Sequence, residues 1–520
     1  LTSASEPVPS RPWALPGVSG LLLALAFPPV HLVIPPFVAL APVVLQVELA
    51  GSGAGPARAS FRAGLVMGGV AWGLLLSWIP PALFGWSWLA VPAYVAAVAV
   101  LAALTGLVTV LIHRLRFENG LPLAFAVPLA WTAGEWVRAN LPGPLAFPWL
   151  ELGTSLTAHP EWVGIADIVG TRGVSFWLAT VSGLLVTCMV GSARARLAAA
   201  LATLIVVLAV PLWGSGRTRD LKTLPVGRVA IVQPGVHRRV SPEPTVVREA
   251  AFAALDRLAP RVAAARPDLV VLPEAFLPDT LGTSRSAATE ARLATFAGTA
   301  GAPVLLGALS RPEGATNAVV RNSVFLVDGN GLADFRYDKH HLVPVVERMP
   351  LLPVPGLPPG FAGYGPGRGW PVAEIGPDLI VGASVCFESA FEGVSRGLVE
   401  AGASLLVNVT NDAWFMGSSG NPVALALRQH PAHLIMRAIE TRKGIARAAS
   451  TGFSFFVDPR GRIYGRVPLG EEIVSVATVE SFPGTTPFVR MGDIAGGGSV
   501  LATVLLLLLG RLGSLRRERG

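Results

Sequence analysis

The chain has 520 residues, 52% hydrophobic and only 14% charged, against about 25% charged in an ordinary soluble domain; with a mean hydropathy of +0.56, this excludes a protein bathed in water along its whole length. The net charge of +8 does not indicate nucleic acid, because the basic residues form no patch interleaved with aromatics and many sit in short loops between apolar runs, where membrane-orientation signals belong. The two cysteines, Cys188 and Cys386, exclude a Cys-based metal site, and an intrachain disulfide is not expected because Cys188 lies inside an apolar run.

In chain order, Leu1 to Trp13 lacks the basic start and cleavage site of a removable signal peptide, so the first apolar run is expected to stay as an anchor. A hydrocarbon core of about 30 Å needs roughly 20 apolar residues per crossing. Seven such runs precede residue 217, at about 14–29, 32–50, 61–83, 87–112, 121–140, 171–190 and 197–214, and a shorter eighth lies at about 494–510. Arg58 and Arg62 follow the second run, Arg114 and Arg116 the fourth, Arg194 and Arg196 the sixth, and Arg511, Arg516, Arg517 and Arg519 the eighth. The loop between runs three and four has no Lys or Arg. This alternation predicts both termini in the cytoplasm and the segment 217–493 outside. The expected organisation is a membrane domain at 1–216 with seven transmembrane helices, a hydrophilic domain at 217–493, and a final transmembrane helix with a basic tail at 494–520.

The hydrophilic segment reads as mixed strands and helices. Val229–Gln233 predicts a strand, Ser241-Pro242-Glu243 a helix start running to about Arg266, and Leu269–Leu272 a buried strand. A helix near 286–300, a strand near 303–308 and a hairpin turning at Asp328-Gly329-Asn330-Gly331 follow, the second hairpin strand ending near Lys339. Further strands are expected at 379–387, 404–410, 445–449, 453–457 and 473–479, with helices near 389–402 and 427–442. Continuous apolar strands alternating with helices predict a layered α/β domain. The Pro- and Gly-rich stretch from Pro350 to Pro371 reads as a long surface loop.

Three polar residues close apolar strands: Glu274, Lys339 and Cys386. Strand ends are where open sheets collect catalytic groups. Together these residues can perform one specific chemistry, in which a carboxylate takes the thiol proton, the thiolate attacks a carbonyl, and a lysine with a backbone N–H holds the oxyanion. Taken singly, each has a plain structural reading: a small buried core residue for Cys386 and a solvated strand edge for Glu274. Lys339 is more telling, because the chain otherwise chooses Arg and has only Lys222 and Lys443 besides.

Glu, Lys and Cys in this chain order at strand ends resemble the nitrilase superfamily. The longer pattern is similar to the membrane-embedded apolipoprotein N-acyltransferase family. It comprises Tyr337-Asp338-Lys339-His340-His341-Leu342-Val343-Pro344 with Glu347, Cys386-Phe387-Glu388, Asn408, Asn411-Asp412-Ala413-Trp414-Phe415, Arg437-Ala438-Ile439-Glu440 and Thr451-Gly452. In the apolar half, Glu135-Trp136-Val137-Arg138, Phe147-Pro148-Trp149 and Gly153 agree with it. The resemblance, from about residue 14 to 510, implies a multi-pass α-helical bundle of about eight transmembrane helices carrying an extracytoplasmic αββα sandwich in a bacterial inner membrane. It implies that Cys386 takes the sn-1 acyl chain of a phospholipid as a thioester and passes it to the α-amine of a diacylglyceryl-cysteine on an apolipoprotein. Glu274 is then the base, Lys339 the oxyanion stabiliser and the Phe387 N–H a second donor. Glu347 keeps Lys339 charged, Glu388 supports the pocket, Asn322 orients the cluster, and Trp414 faces substrate, with core packing as its alternative. Glu135 and Arg138 read better as a helix-end pair than as a lipid site. No metal, nucleotide or other cofactor is implied, and the chain contains neither a P-loop nor a dinucleotide-binding fingerprint.

Departures from the family pattern are Phe387 where Tyr is frequent, Ser450 where Asn is usual, Met416 after Trp414-Phe415, about six extra residues from Val423 to Arg428, and Ile435 where Arg is expected. They bear on substrate selection and not on the triad. Two other functions use the same residues differently: a membrane-tethered amidase or nitrilase with water as acceptor, and a scaffold that binds lipoprotein without turnover.

Overall fold

The computed structural model describes residues 13–51, 55–84, 87–235, 243–311, 319–349, 363–415 and 424–519, excepting the side chains at 414, 424 and 513–519. The apolar runs fold as helices α1 (Ala14–Ala26), α2 (Pro35–Val38), α3 (Ala41–Ala50), α4 (Pro56–Leu75), α5 (Ile79–Leu83), α6 (Ala90–His113), α7 (Leu123–Ala139), α8 (Ala166–Val190) and α9 (Ala193–Arg219). Among the described residues, five helical stretches are long and apolar enough to cross a membrane: Pro56–Leu83, Ala90–Glu118, Ala166–Val190, Ala193–Arg219 and Ile494–Leu512. The remaining runs are shorter for visible reasons. α1 stops just before Pro28-Pro29, the second run restarts at Pro35-Pro36, and α7 has 17 residues and carries Glu135 and Arg138 near its C-terminal end. Packing within the bundle relies on small residues. Gly64 and Gly68 of α4 lie so near Thr105, Gly106 and Ala102 of α6 that a methyl group at either position would enter the neighbouring helix.

The hydrophilic segment folds as β1 (Leu224–Gln233), α10 (Pro244–Ala265), β2 (Leu269–Val271), β3 (Thr280–Leu281), α11 (Ala287–Ala300), β4 (Val304–Ser310), β5 (Arg321–Asp328), β6 (Gly331–Asp338), β7 (Val372–Glu374), β8 (Ile380–Val385), α12 (Glu392–Glu400), β9 (Leu405–Thr410), α13 (Ala424–Thr441), β10 (Gly444–Ala449), β11 (Phe455–Val457), β12 (Ile463–Tyr464) and β13 (Ile473–Ser481). A short α14 (Pro487–Met491) and the long α15 (Ile494–Arg519) end the chain. The expected elements are present; β3, β7 and β12 are additional, and at two or three residues each they are too short to carry a periodic signal. Of the expected helix start, Ser241 and Pro242 lie outside the described residues, as does 350–362 of the expected loop.

Two sheets result. One runs β13-β1-β2-β4-β5-β6 with β3 beside β4, and the other runs β12-β11-β10-β9-β8-β7. The period-2 rule distributes their side chains. Val229 and Ile231 join a core shared with Val381, Val385, Val407 and Val409 of the second sheet. Ala230 and Val232 instead meet Phe252, Leu255, Leu293 and Phe296 of α10 and α11. With α12 and α13 against the second sheet, the layers are helix, sheet, sheet, helix.

This sandwich is fixed to the bundle by buried arginines around the start of α8. Arg172 pairs with Glu151 at 2.7 Å, with Glu392 at the start of α12 at 2.6 Å, and with Asp493 just before α15. Arg437 of α13 donates to the Thr171 hydroxyl at 2.8 Å and the Ala390 carbonyl at 3.2 Å, and Arg442 pairs with Asp167 at 3.0 Å. Removing one partner of such a buried cluster leaves uncompensated charge and costs about 3–5 kcal/mol. Arg172→Leu is therefore expected to lower the thermal midpoint in detergent strongly. The same change at Arg257, which pairs with Glu472 in solvent, is expected to be nearly silent. Differential scanning fluorimetry of the two variants checks this, and equal shifts would contradict it.

Candidate active site

Strand ends from both sheets meet at one edge of the sandwich. After β2 the chain continues beside β4, with Leu272 N–H donating to Leu305 at 2.8 Å and Ala275 N–H to Gly307 at 2.8 Å. Only glycine fits at 307: a Cβ there would lie 2.6 Å from the Glu274 Cα. Glu274 is thereby seated with its carboxylate accepting the Asn322 amide at 2.6 Å and the Asn411 N–H at 2.9 Å. Lys339 extends the pairing of β6, its N–H donating to the Asn322 carbonyl at 2.8 Å. Its ammonium, only 1% exposed, lies 2.8 Å from Glu347 and 3.9 Å from Glu274. Asn322 bridges the two carboxylates, donating to Glu347 at 3.0 Å as well as to Glu274.

Cys386 follows β8 directly, at the sharp turn into the short helix Cys386–Ala390. Its φ of +51° is a left-handed conformation that side chains rarely adopt. Glu388 braces this turn. One carboxylate oxygen accepts the Val385 N–H at 2.8 Å, and the other accepts the Tyr337 hydroxyl at 2.9 Å and the His340 N–H at 2.7 Å. One buried side chain thus ties the Cys386 turn to the strand that leads to Lys339. Phe387 packs against Phe147 and Trp149 from the bundle, with ring centroids about 6 Å apart.

The electrostatics follow from burial and from the neighbouring charges. The surrounding protein, with the Glu274 carboxylate adding, pushes the Cys386 thiol up to about 12 against the pull of Lys339. Burial likewise raises Glu274 above its ordinary value, although Lys339 opposes the shift. Burial disfavours the Lys339 ammonium, yet Glu347 and Glu274 more than offset that and hold it protonated above its usual range. Burial pushes Glu388 up to about 7. At neutral pH the site therefore holds a neutral thiol and a fixed cation, beside a Glu274 carboxyl of raised basicity.

Glu274, Lys339, Glu347, Asn322, Cys386, Phe387 and Glu388 are thus gathered in one place. The side chain of Trp414 lies outside the described residues. So do Met416 to Val423, and with Val423 the first residue of the expected insertion, whose remainder opens α13. One reading is corrected. Glu135 and Arg138 form no ion pair with each other: Glu135 accepts from Trp131 Nε1 and the Leu152 N–H, while Arg138 donates to the Phe147 and Trp149 carbonyls. Buried backbone groups of the 147–152 loop take the hydrogen bonds that the sequence spacing assigned to a pair. The sequence reading also passed over Arg447, which holds Asp412, Asn408 and His430 together and follows no recognisable spacing from them.

The layered domain with these three residues defines the class. Residues 228–482 match the carbon-nitrogen hydrolase family. Residues 19–184 match the apolipoprotein N-acyltransferase N-terminal domain. The chain is 31% identical to an apolipoprotein N-acyltransferase of Geobacter metallireducens, covering 97% of this chain and 96% of that protein. It is 30% identical to one of Caulobacter vibrioides, again over 97% and 96%. Among solved structures it is similar to an amidase from Nesterenkonia sp., 18% identical with a TM-score of 0.36, covering 52% of this chain and 95% of that one. The chain belongs to the apolipoprotein N-acyltransferase family.

Two outcomes test the geometry. Because the thiol is raised to about 12, the thiolate fraction still grows with pH beyond the ordinary cysteine range of about 8.5. Alkylation of Cys386 by iodoacetamide should therefore keep accelerating above pH 9, and a plateau near pH 9 would contradict the burial argument. Gly307→Ala should displace Glu274 and slow acylation of Cys386 by roughly 10²-fold with circular dichroism unchanged. A wild-type rate in that variant would show that the Glu274 position is not set by this contact.

Proposed function

We propose that this chain is an apolipoprotein N-acyltransferase that works through a thioester on Cys386. In the first half-reaction Glu274 takes the thiol proton and sulfur attacks the sn-1 ester carbonyl of a phospholipid. The carbonyl π pair moves onto oxygen, where Lys339 Nζ and the Phe387 N–H hold it. Collapse of this adduct breaks the ester C–O bond, and the departing lysophospholipid oxygen takes the proton back from Glu274. In the second half-reaction the α-amine of a diacylated apolipoprotein attacks the thioester. Nitrogen gives a proton to Glu274, the C–S bond breaks, and the sulfur recovers its proton. Glu347 keeps Lys339 charged and aimed, Asn322 orients both carboxylates, and Glu388 braces the nucleophile turn.

The reading is carried by one observation: a Glu, Lys and Cys site is fastened by buried ion pairs to a bundle of apolar helices. Such a site holds a lipid donor and a lipid acceptor at the bilayer surface and raises their effective concentration. We further propose eight membrane crossings, with membrane segments 1–216 and 494–520 flanking a catalytic domain at 217–493. Both termini would face the cytoplasm and the catalytic domain the periplasm of a bacterial inner membrane. The arginine-bearing loops after the even-numbered runs support this orientation.

Intact-protein mass spectrometry after incubation with phospholipid alone tests the reaction. One acyl mass should appear, be absent in Cys386→Ala, and leave with neutral hydroxylamine. A diacylated lipopeptide should then discharge it onto its amine. Release as free fatty acid, with or without peptide, would instead establish a hydrolase; no adduct at all would defeat the reading. Lys339→Arg should be severely impaired, because the planar guanidinium does not fit where a compact ammonium sits between two carboxylates. Cys188→Ala should behave as wild type.

A further inference from the structure

The carbonyl of the nucleophile itself is held by a polar relay that the reaction above does not use. Cys386 O accepts from His430 Nε2 at 2.9 Å and from Asn408 Nδ2 at 3.4 Å. Both donors are fully buried, and both are set by one guanidinium. Arg447 donates from Nη1 to Asn408 Oδ1 at 2.7 Å, which turns the Asn408 amide nitrogen toward Cys386. From Nη2 it meets His430 Nδ1 at 3.1 Å. A guanidinium has no acceptor, so Nδ1 must accept and the ring proton must sit on Nε2, aimed at the Cys386 carbonyl. Asp412 completes the relay, with both carboxylate oxygens 2.9 Å from Arg447 Nη2. Burial, reinforced by Arg447, also lowers His430, which keeps the ring in this neutral tautomer.

The held carbonyl belongs to the Cys386–Phe387 peptide, whose N–H is the backbone donor assigned to the oxyanion. In a planar trans peptide the C=O and N–H point in opposite directions, so fixing one aims the other. A hydrogen bond to the carbonyl also polarises the N–H across the amide. The turn needs such restraint, because Cys386 sits at φ +51°. We infer that His430, oriented by Arg447 and Asp412, is a positioning residue for acyl transfer that fixes the Cys386–Phe387 peptide so that the Phe387 N–H meets the developing oxyanion. The inference rests on the acyl-transfer reading above.

The test compares two reactions of the same thiol in the full-length protein in detergent micelles. Acylation by phosphatidylethanolamine passes through an oxyanion, whereas alkylation by iodoacetamide displaces iodide and forms none. His430→Asn keeps a polar group near Arg447 but is too short to reach the Cys386 carbonyl, and should slow acylation roughly 10- to 100-fold, up to the loss expected for a missing oxyanion donor. His430→Gln can place its amide nitrogen near the position of Nε2 and should recover most of that loss. Alkylation at Cys386 should change by less than about twofold in both, the proposal placing no charge or proton of His430 on the sulfur. Acylation undiminished in His430→Asn would overturn the inference. So would an equal loss of alkylation, which would assign His430 to the fold or to the thiol, and so would a Gln variant no better than Asn. Wild-type protein that alkylates but gains no acyl group would remove the acyl-transfer reading and this inference with it.

Discussion

An ammonium group with almost no solvent must be surrounded by compensating charge, and the active site is arranged around that requirement. Lys339 is 1% exposed on its side chain and has Glu347 at 2.8 Å and Glu274 at 3.9 Å. Two carboxylates so near each other would repel if the cation were absent, and Asn322 adds a hydrogen bond to each. The arrangement leaves Glu274 more basic than a solvated carboxylate and Cys386 a neutral thiol. The raised basicity of Glu274 suits it to the proposed role of taking the thiol proton. In the proposed reaction the Lys339 cation is the group that meets the negative charge on the substrate oxygen.

Around this centre the chain builds outward in braced layers. Glu388 binds the Cys386 turn to the strand before Lys339 through Tyr337, His340 and Val385. The Arg447 relay holds the opposite side of the same turn. Farther out, Arg172, Arg437 and Arg442 join the sandwich to α8 through Glu392, Ala390, Thr171 and Asp167. Two of those contacts, at Ala390 and Glu392, lie within six residues of Cys386 along the chain. The turn that carries Cys386 is thus tied to the bundle within a few residues along the chain. Acyl transfer as proposed gains from this rigidity, because reacting atoms must be held to within a fraction of an ångström.

Local signals were legible where one physical rule governs them. The hairpin turn at Asp328-Gly329-Asn330-Gly331, the fully buried β9 and the helix over Ala287–Ala300 lie close to where apolar patterning and turn chemistry put them. The five long apolar helices follow equally from hydropathy. Glu135 and Arg138 were misread because their three-residue spacing satisfies the helix-pair rule. The rule takes no account of the 147–152 loop, whose carbonyls and N–H groups compete for both side chains.

The sequence by itself determined which segments are apolar, which residue types can do acyl chemistry, and that Glu274, Lys339 and Cys386 stand at strand ends. These depend on composition and on neighbours a few residues apart. Only the tertiary structure decided which polar groups share a hydrogen bond. Gly307 matters because Glu274 crosses it, His430 because Cys386 O faces it, and Arg172 because Glu151, Glu392 and Asp493 converge on it. Those partners lie 21 to 321 positions away from Arg172 along the chain. Pairing over such distances is set by how two sheets and a bundle pack, and no local spacing records it.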